Sequence, residues 1–140
     1  MHILGGRYLI LGATGLVGSH VLSKLKDNSA VEVRAHFQSR RPKIFSKNIS
    51  YVQGDLRDKE CHVEIMRGID YVIMCAGVLS TAQVIARDPI TPVMDSLVMT
   101  AYSLGAAWRA GVKKFVWLSS TVGYPERSGE ISEEEMFAGD

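Results

Sequence analysis

The sequence of 140 residues lacks the features that mark several classes of protein. Its 16 Lys and Arg nearly balance its 15 Asp and Glu, and no block of like charge predicts a tail that binds nucleic acid. Its two cysteines, Cys61 and Cys75, have no metal-knuckle spacing, and the four histidines add none, so we expect no metal site. No apolar run approaches the roughly 18 residues of a membrane span. We therefore expect a cytoplasmic protein without a membrane or nucleic-acid partner.

Short apolar runs alternate with helical patterns along the whole chain. The runs predict strands at 8–11, 31–37, 49–53, 71–76 and 115–120. The 3.6-residue periodicity predicts helices at 16–26, 59–66 and about 92–110, and the two tryptophans, Trp108 and Trp117, are expected to pack in the core. From Val78 to Pro92 we expect a loop with one helical turn, because Pro89 and Pro92 break any longer pattern. This alternation predicts an α/β fold with a parallel sheet in one domain, residues 1–140.

Three glycines follow the first predicted strand and open the first predicted helix. They are spaced three residues apart, as Gly12, Gly15 and Gly18. Gly12 would allow the tight turn, Gly15 would let a pyrophosphate approach the backbone, and Gly18 would let the helix pack on the sheet. A purely structural turn is the alternative, because glycine triplets also occur by chance. The strand-turn-helix context favours a phosphate site at the helix N-terminus.

Four motifs give the sequence a family resemblance. They are GATGLVG (12–18), GDLRD (54–58), CAGV (75–78) and AAWRAGVKKFVWLSS (106–120). In this order they resemble the N-terminal half of the extended short-chain dehydrogenase/reductase family, the NAD-dependent epimerases and dehydratases. That resemblance implies a Rossmann-type doubly wound sheet of about five strands in the order 3-2-1-4-5. It places a dinucleotide against Gly12, Thr14, Gly15, Leu16, Val17, Gly18, Ser39, Arg40, Asp55, Leu56, Ala76 and Gly77, with Asp55 on the adenine amino group.

The end of the second predicted strand bears on the choice between NAD and NADP. Such enzymes hold the ribose 2′-OH with an acidic side chain there, or a 2′-phosphate with a basic one. The window 35–41 contains no acidic residue, and it contains Ser39, Arg40 and Arg41. Because arginine can hold a phosphate with two parallel hydrogen bonds, we expect NADP, with NAD as the alternative. The other interpretation is that these arginines are solvated loop charges.

The resemblance also implies catalytic residues, of which the sequence contains one. It places the catalytic hydroxyl at Ser120, and the stretch from Ser119 to Pro125 is most similar to the GDP-fucose synthase type of epimerase-reductase. Two positions depart from that type: Val122 replaces an acid cysteine, and Ser96 replaces an asparagine. No tyrosine has a lysine four residues later, so the Tyr-x-x-x-Lys pair of the family is not in this sequence. We expect the cofactor-binding half of a longer enzyme.

The sequence is compatible with three functions. The first is the NAD(P)-binding part of an epimerase, dehydratase or reductase with a nucleotide sugar as its small-molecule substrate. The second is a reductase of ketones or aldehydes outside nucleotide sugars, and the third is a non-catalytic NADP sensor resembling the NmrA-like regulators. Family members commonly form dimers through the long helix before the fifth strand, so we also expect a homodimer.

Overall fold

The computed structural model describes residues 3–78, 82–118, 124–125 and 129–136. These residues form five strands and four α-helices, followed by a short 3₁₀ turn. The elements are β1 (Gly6–Leu11), α1 (Leu16–Leu25), β2 (Val31–Phe37), β3 (Ile49–Gln53), α2 (Lys59–Ile65), β4 (Tyr71–Met74), α3 (Ala82–Arg87), α4 (Ile90–Arg109), β5 (Lys114–Trp117) and the turn Glu133–Glu135.

All strand pairings in the described sheet are parallel, and the strand order is β3-β2-β1-β4-β5. The sheet reverses its winding between β1 and β4, where Tyr8 lies beside Tyr71. This order confirms the predicted Rossmann-type fold. In such sheets the crevice at the carboxyl ends of the strands, beside the reversal, is where ligands bind.

The two faces of the sheet bury two separate apolar clusters. Alternate residues of β1 divide between them, because successive side chains of a strand point to opposite faces. Leu9 and Leu11 pack with residues of α2 and α4, whereas Tyr8 and Ile10 pack with residues of α1 and β2. Helices therefore cover both faces, which explains why the strands are nearly continuous apolar runs.

The helix α4 begins earlier than the prolines predict. It starts at Ile90 and includes Pro92, so the predicted loop from Val78 to Pro92 is wrong at its last three residues. Pro92 lies in the first turn, where a backbone N–H has no intrahelical partner and its loss costs little. The carboxylate of Asp88 accepts hydrogen bonds from the N–H groups of Ile90 and Thr91 and caps this start. The helix ends in a Schellman motif, in which Gly111 has φ +70°.

The long helix packs on the sheet through its smaller side chains. Ser103, Ala106 and Ala107 are buried, together with Met99 one turn before them. The larger apolar residues of α4 point away from the sheet and are about half exposed or more: Ile90, Val93, Met94, Leu97, Leu104 and Trp108. The prediction that the tryptophans pack in the core is wrong, because Trp108 is 87% exposed and Trp117 is 53% exposed.

Candidate cofactor site

The glycine turn joins the end of β1 to the start of α1. Gly12 has φ +77°, and a Cβ at this position would lie 2.7 Å from the backbone nitrogen of Ala76. A Cβ on Gly18 would overlap the carbonyl oxygen of Gly12 and lie 2.8 Å from the Cα of Ala13. Close approach of backbone atoms therefore requires glycine at two positions. At Gly12 the chain after β1 lies against the chain after β4, and at Gly18 the helix α1 lies against the glycine turn.

The start of α1 leaves backbone donors available. Gly15 is the N-cap residue, and no side chain caps the helix. The first N–H groups of a helix have no intrahelical acceptor, and they carry the positive end of the helix dipole. An anion at this position would be held by backbone N–H groups without competition from a capping side chain.

A cleft of about 390 Å³ opens beside this turn, at the carboxyl edge of the sheet. Nine of the twelve predicted cofactor residues line it: Gly12, Thr14, Gly15, Leu16, Ser39, Arg40, Leu56, Ala76 and Gly77. They come from the glycine turn and from the segments after β2, β3 and β4. These distant segments meet because parallel strands present their carboxyl ends at one edge of the sheet.

The other predicted site residues lie outside the lining of this cleft. Val17 is 46% exposed on α1, and Gly18 is buried under the turn. Asp55 lies in the segment after β3, next to Leu56, which does line the cleft. Ser120, the predicted catalytic hydroxyl, falls outside the described residues, so its position stays a prediction.

Asp55 is held by an arginine two residues later. The Arg57 Nε lies 3.0 Å from Oδ1 and its Nη2 lies 2.7 Å from Oδ2. The Arg57 backbone N–H also donates to Oδ1, at 2.9 Å. These hydrogen bonds lower the pKa of Asp55 to about 2, so this carboxyl is an anion at neutral pH. The third guanidinium nitrogen reaches Asp95 on α4, at 3.0 Å.

Five further residues of the cleft lining were not among the twelve predicted cofactor residues: His36, Gln38, Cys75, Val78 and Met99. His36 and Gln38 lie within the window 35–41, and neither is an acidic residue or an arginine of the kind that distinguishes NAD from NADP. Gln38 Nε2 donates to Oδ2 of Asp55, at 3.0 Å. His36 is buried, its Nε2 lies 3.0 Å from the Gly54 carbonyl oxygen, and its Nδ1 lies 3.4 Å from the Gly12 nitrogen.

A second cleft, of about 360 Å³, shares the glycine turn with the first. Three cationic side chains line it, from Arg40, Arg41 and Lys43. Arg40 lines both clefts, and its Nη1 lies 3.4 Å from the carbonyl oxygen of Thr14. The described lining of the two clefts includes no acidic residue. The electrostatic field here favours an anion bound beside the turn.

Neither a metal cluster nor a membrane segment is found among the described residues. No three His, Cys, Asp or Glu side chains of this part of the chain are placed to share a metal ion. Within the same ranges, every helix is too short or too polar to cross a bilayer.

Comparison with known proteins agrees with this geometry. The profile of the NAD dependent epimerase/dehydratase family matches residues 8–139. A UDP-glucose 4-epimerase of Neisseria meningitidis serogroup C is 32% identical to the chain and covers 96% of it, which is 42% of the epimerase. The chain thus spans about two fifths of that relative.

Two solved structures resemble the fold. The UDP-N-acetylglucosamine 4-epimerase of Methanobrevibacter ruminantium M1 superimposes with a TM-score of 0.80 over 95% of this chain and 44% of its own, at 21% identity. MoeE5, solved in complex with UDP-glucose and NAD, gives a TM-score of 0.74 over 94% of this chain and 42% of its own, at 27% identity. The chain belongs to the NAD-dependent epimerase/dehydratase family of extended short-chain dehydrogenases/reductases.

Proposed function

We propose that the chain binds a nicotinamide dinucleotide in the cleft beside the glycine turn, with the pyrophosphate at the N-terminus of α1. The observation that carries this proposal is the convergence of nine predicted residues around one cleft that opens at an uncapped helix start. Asp55 and Leu56 would flank the adenine at one end. Ala76 and Gly77, after β4, would line the path toward the nicotinamide.

We further propose that the dinucleotide is NADP rather than NAD. The support is the cationic lining of the second cleft, where Arg40 and Arg41 lie beside the turn that would hold the adenosine ribose. A 2′-phosphate adds about two negative charges and three hydrogen-bond acceptors, which a guanidinium recognises through two hydrogen bonds. A carboxylate at the same place would repel that phosphate, and none is found in the described lining.

Isothermal titration with NADPH and NADH tests both proposals. NADPH is expected to bind at least about tenfold more tightly than NADH, because a hydrogen bond to a charged group contributes about 1.5–3 kcal/mol. In the double variant Arg40→Ala, Arg41→Ala this ratio is expected to fall below about threefold, while the affinity for NADH stays near that of the wild type.

The matched control is Lys26→Ala, which removes an exposed positive charge at the far end of α1. This variant should bind NADPH and NADH with the same ratio of affinities as the wild type. Equal affinity of the wild-type protein for the two dinucleotides would contradict the preference for NADP. Binding of neither would contradict the proposed function itself.

For the whole protein we propose a small-molecule substrate of the nucleotide-sugar class, converted by epimerisation, dehydration or reduction. The support is membership of the family, together with the similarity to UDP-glucose 4-epimerases and to MoeE5, a protein solved with UDP-glucose. Ser120 remains the proposed catalytic hydroxyl. The similarity to the GDP-fucose synthase type also remains a proposal.

We also propose that a second copy of the chain covers the exposed apolar face of α4. Six large apolar side chains lie on this helix about half exposed or more, which is an unusual surface for a soluble monomer. Light scattering after size-exclusion chromatography is expected to give the mass of a dimer. The double variant Leu97→Glu, Leu104→Glu should be monomeric, whereas Leu4→Glu, at another exposed leucine, should stay dimeric. A monomeric wild type would contradict the proposal.

A further inference from the structure

Arg57 has two carboxylate partners that come from different parts of the fold. Through Nε and Nη2 it forms a two-pronged contact with Asp55, directly after β3. Through Nη1 it reaches Asp95, which is 38 residues later in the chain, on α4. A planar guanidinium that satisfies two carboxylates fixes the orientation of each of them, which a lysine could not do.

This contact joins two walls of the candidate cofactor cleft. Leu56, between Asp55 and Arg57, lines the cleft and is buried, and Met99, one helical turn after Asp95, lines it as well. Both side chains belong to the same apolar cluster. Arg57 therefore holds the loop after β3 and the helix α4 together next to the cleft, although it does not line the cleft itself.

The carboxylate of Asp55 is suited to a ligand group that donates a hydrogen bond. An ionised carboxylate accepts hydrogen bonds and donates none, so it favours an amino group over a carbonyl oxygen. The side-chain amide of Gln38, which lines the cleft, already donates an N–H to Oδ2. The Gln38 amide thus reaches this oxygen from the cleft side, and the exocyclic amino group of an adenine that took its place would be a donor of the same kind.

We propose that Arg57 is a positioning residue that gives the site its selectivity for adenine over a 6-oxo purine, by fixing Asp55 toward the base. The inference rests on the proposed function, because it assumes a dinucleotide in this cleft. Without the two-pronged contact, the Asp55 side chain gains rotamer freedom, and its hydrogen bond to the base loses its fixed direction.

The test compares NADPH with its 6-oxo analogue, nicotinamide hypoxanthine dinucleotide phosphate, by isothermal titration. The wild-type chain is expected to bind NADPH at least about tenfold more tightly than the analogue. In Arg57→Met this ratio is expected to fall below about threefold. A merely structural role of Arg57 would weaken both ligands equally and would leave the ratio unchanged.

Lys59→Met is the matched control, because it removes an exposed positive charge two residues away, on the first turn of α2. Its ratio should equal that of the wild type. If circular dichroism shows that Arg57→Met is unfolded, Arg57→Lys is used instead. This variant keeps the positive charge but loses the planar guanidinium, so its preference for NADPH over the 6-oxo analogue is expected to be at least about threefold smaller than that of the wild type.

These outcomes distinguish the positioning role of Arg57 from the proposed function. An unchanged ratio in the folded Arg57 variant overturns the positioning role, and so does a wild-type protein that binds both ligands equally. A wild-type protein that binds neither ligand overturns the proposed function instead.

Discussion

A Gly18→Ala variant is expected to lose about 3 kcal/mol or more of the free energy of unfolding, the upper end for overpacking at a closely packed site. The added Cβ would overlap the carbonyl oxygen of Gly12 and press on the Cα of Ala13. Both contacts are with backbone atoms, so no side chain can rotate to make room. The helix α1 would have to move away from β1, which would also open the apolar cluster around Leu22. Urea denaturation followed by circular dichroism measures the loss.

Gly77→Ala is the control for this substitution. No atom lies within 4 Å of an ideal Cβ at Gly77, so its free energy of unfolding should change by less than about 1 kcal/mol. Because Gly77 lines the candidate cleft, this variant can still weaken NADPH binding. Stability equal to that of the wild type in Gly18→Ala would show that α1 is not held against the turn by backbone contact.

The strands of this fold could be predicted because both faces of the sheet are covered. The bounds of β2 and β3 agree with the predicted runs at 31–37 and 49–53. The runs at 71–76 and 115–120 are longer than β4 and β5. Past Met74 the chain leaves the sheet to line the candidate cleft, although its residues stay apolar. In the run at 115–120, Val116, Trp117 and Leu118 are 38%, 53% and 45% exposed, so an apolar run predicts neither the burial of each residue nor the last residue of a strand.

The orientation of α4 could not be predicted from periodicity. Its sequence has an apolar face on two sides, one with Met99 and Ala106 and one with Leu97 and Trp108. The hydrophobic pattern favours the side with the larger residues. The structure places the small residues on the sheet, because a helix can approach a sheet closely only where its side chains are short.

The glycine motif located the candidate site, but it did not reveal the residues that support it. A spacing pattern detects residues that are close in sequence, such as Gly12 and Gly15. The partners of Arg57 and His36 include Asp95 and Gly12, which are 38 and 24 residues away. Only the folded chain brings these atoms together, so a single sequence carries no local signal for their roles.

His36→Leu is expected to lose about 3 kcal/mol of the free energy of unfolding at pH 8, because it leaves two partly buried backbone groups without their partner. In the wild type, Nε2 lies 3.0 Å from the carbonyl oxygen of Gly54, and Nδ1 lies 3.4 Å from the nitrogen of Gly12. This arrangement requires a neutral ring, with the proton on Nε2 and the lone pair of Nδ1 toward Gly12. Chemical denaturation of both proteins at pH 8 measures the difference.

The difference in the free energy of unfolding between the wild type and His36→Leu should also depend on pH, and the burial of His36 determines the direction. Burial is the largest cause that lowers the pKa of this ring, and the nearby His62 lowers it further, whereas the Gly54 carbonyl and Asp55 act in the opposite direction. Below about pH 6.5 the unfolded chain therefore binds a proton at this position more readily than the native protein does. The wild type loses stability as the pH falls from about 6.5 toward the native pKa, while the leucine variant has no such contribution.

The gap between the two proteins is thus expected to be widest at pH 8 and to narrow as the pH falls to 5. His20→Leu serves as the control, because His20 is exposed on α1 and its ring contacts only the Leu16 carbonyl oxygen among the contacts described for it. Its stability should remain close to that of the wild type over the same range. A gap that stays constant from pH 8 to pH 5 would contradict a neutral, buried His36, and equal stability of the two proteins at pH 8 would place the support of the Gly12 turn in the backbone alone.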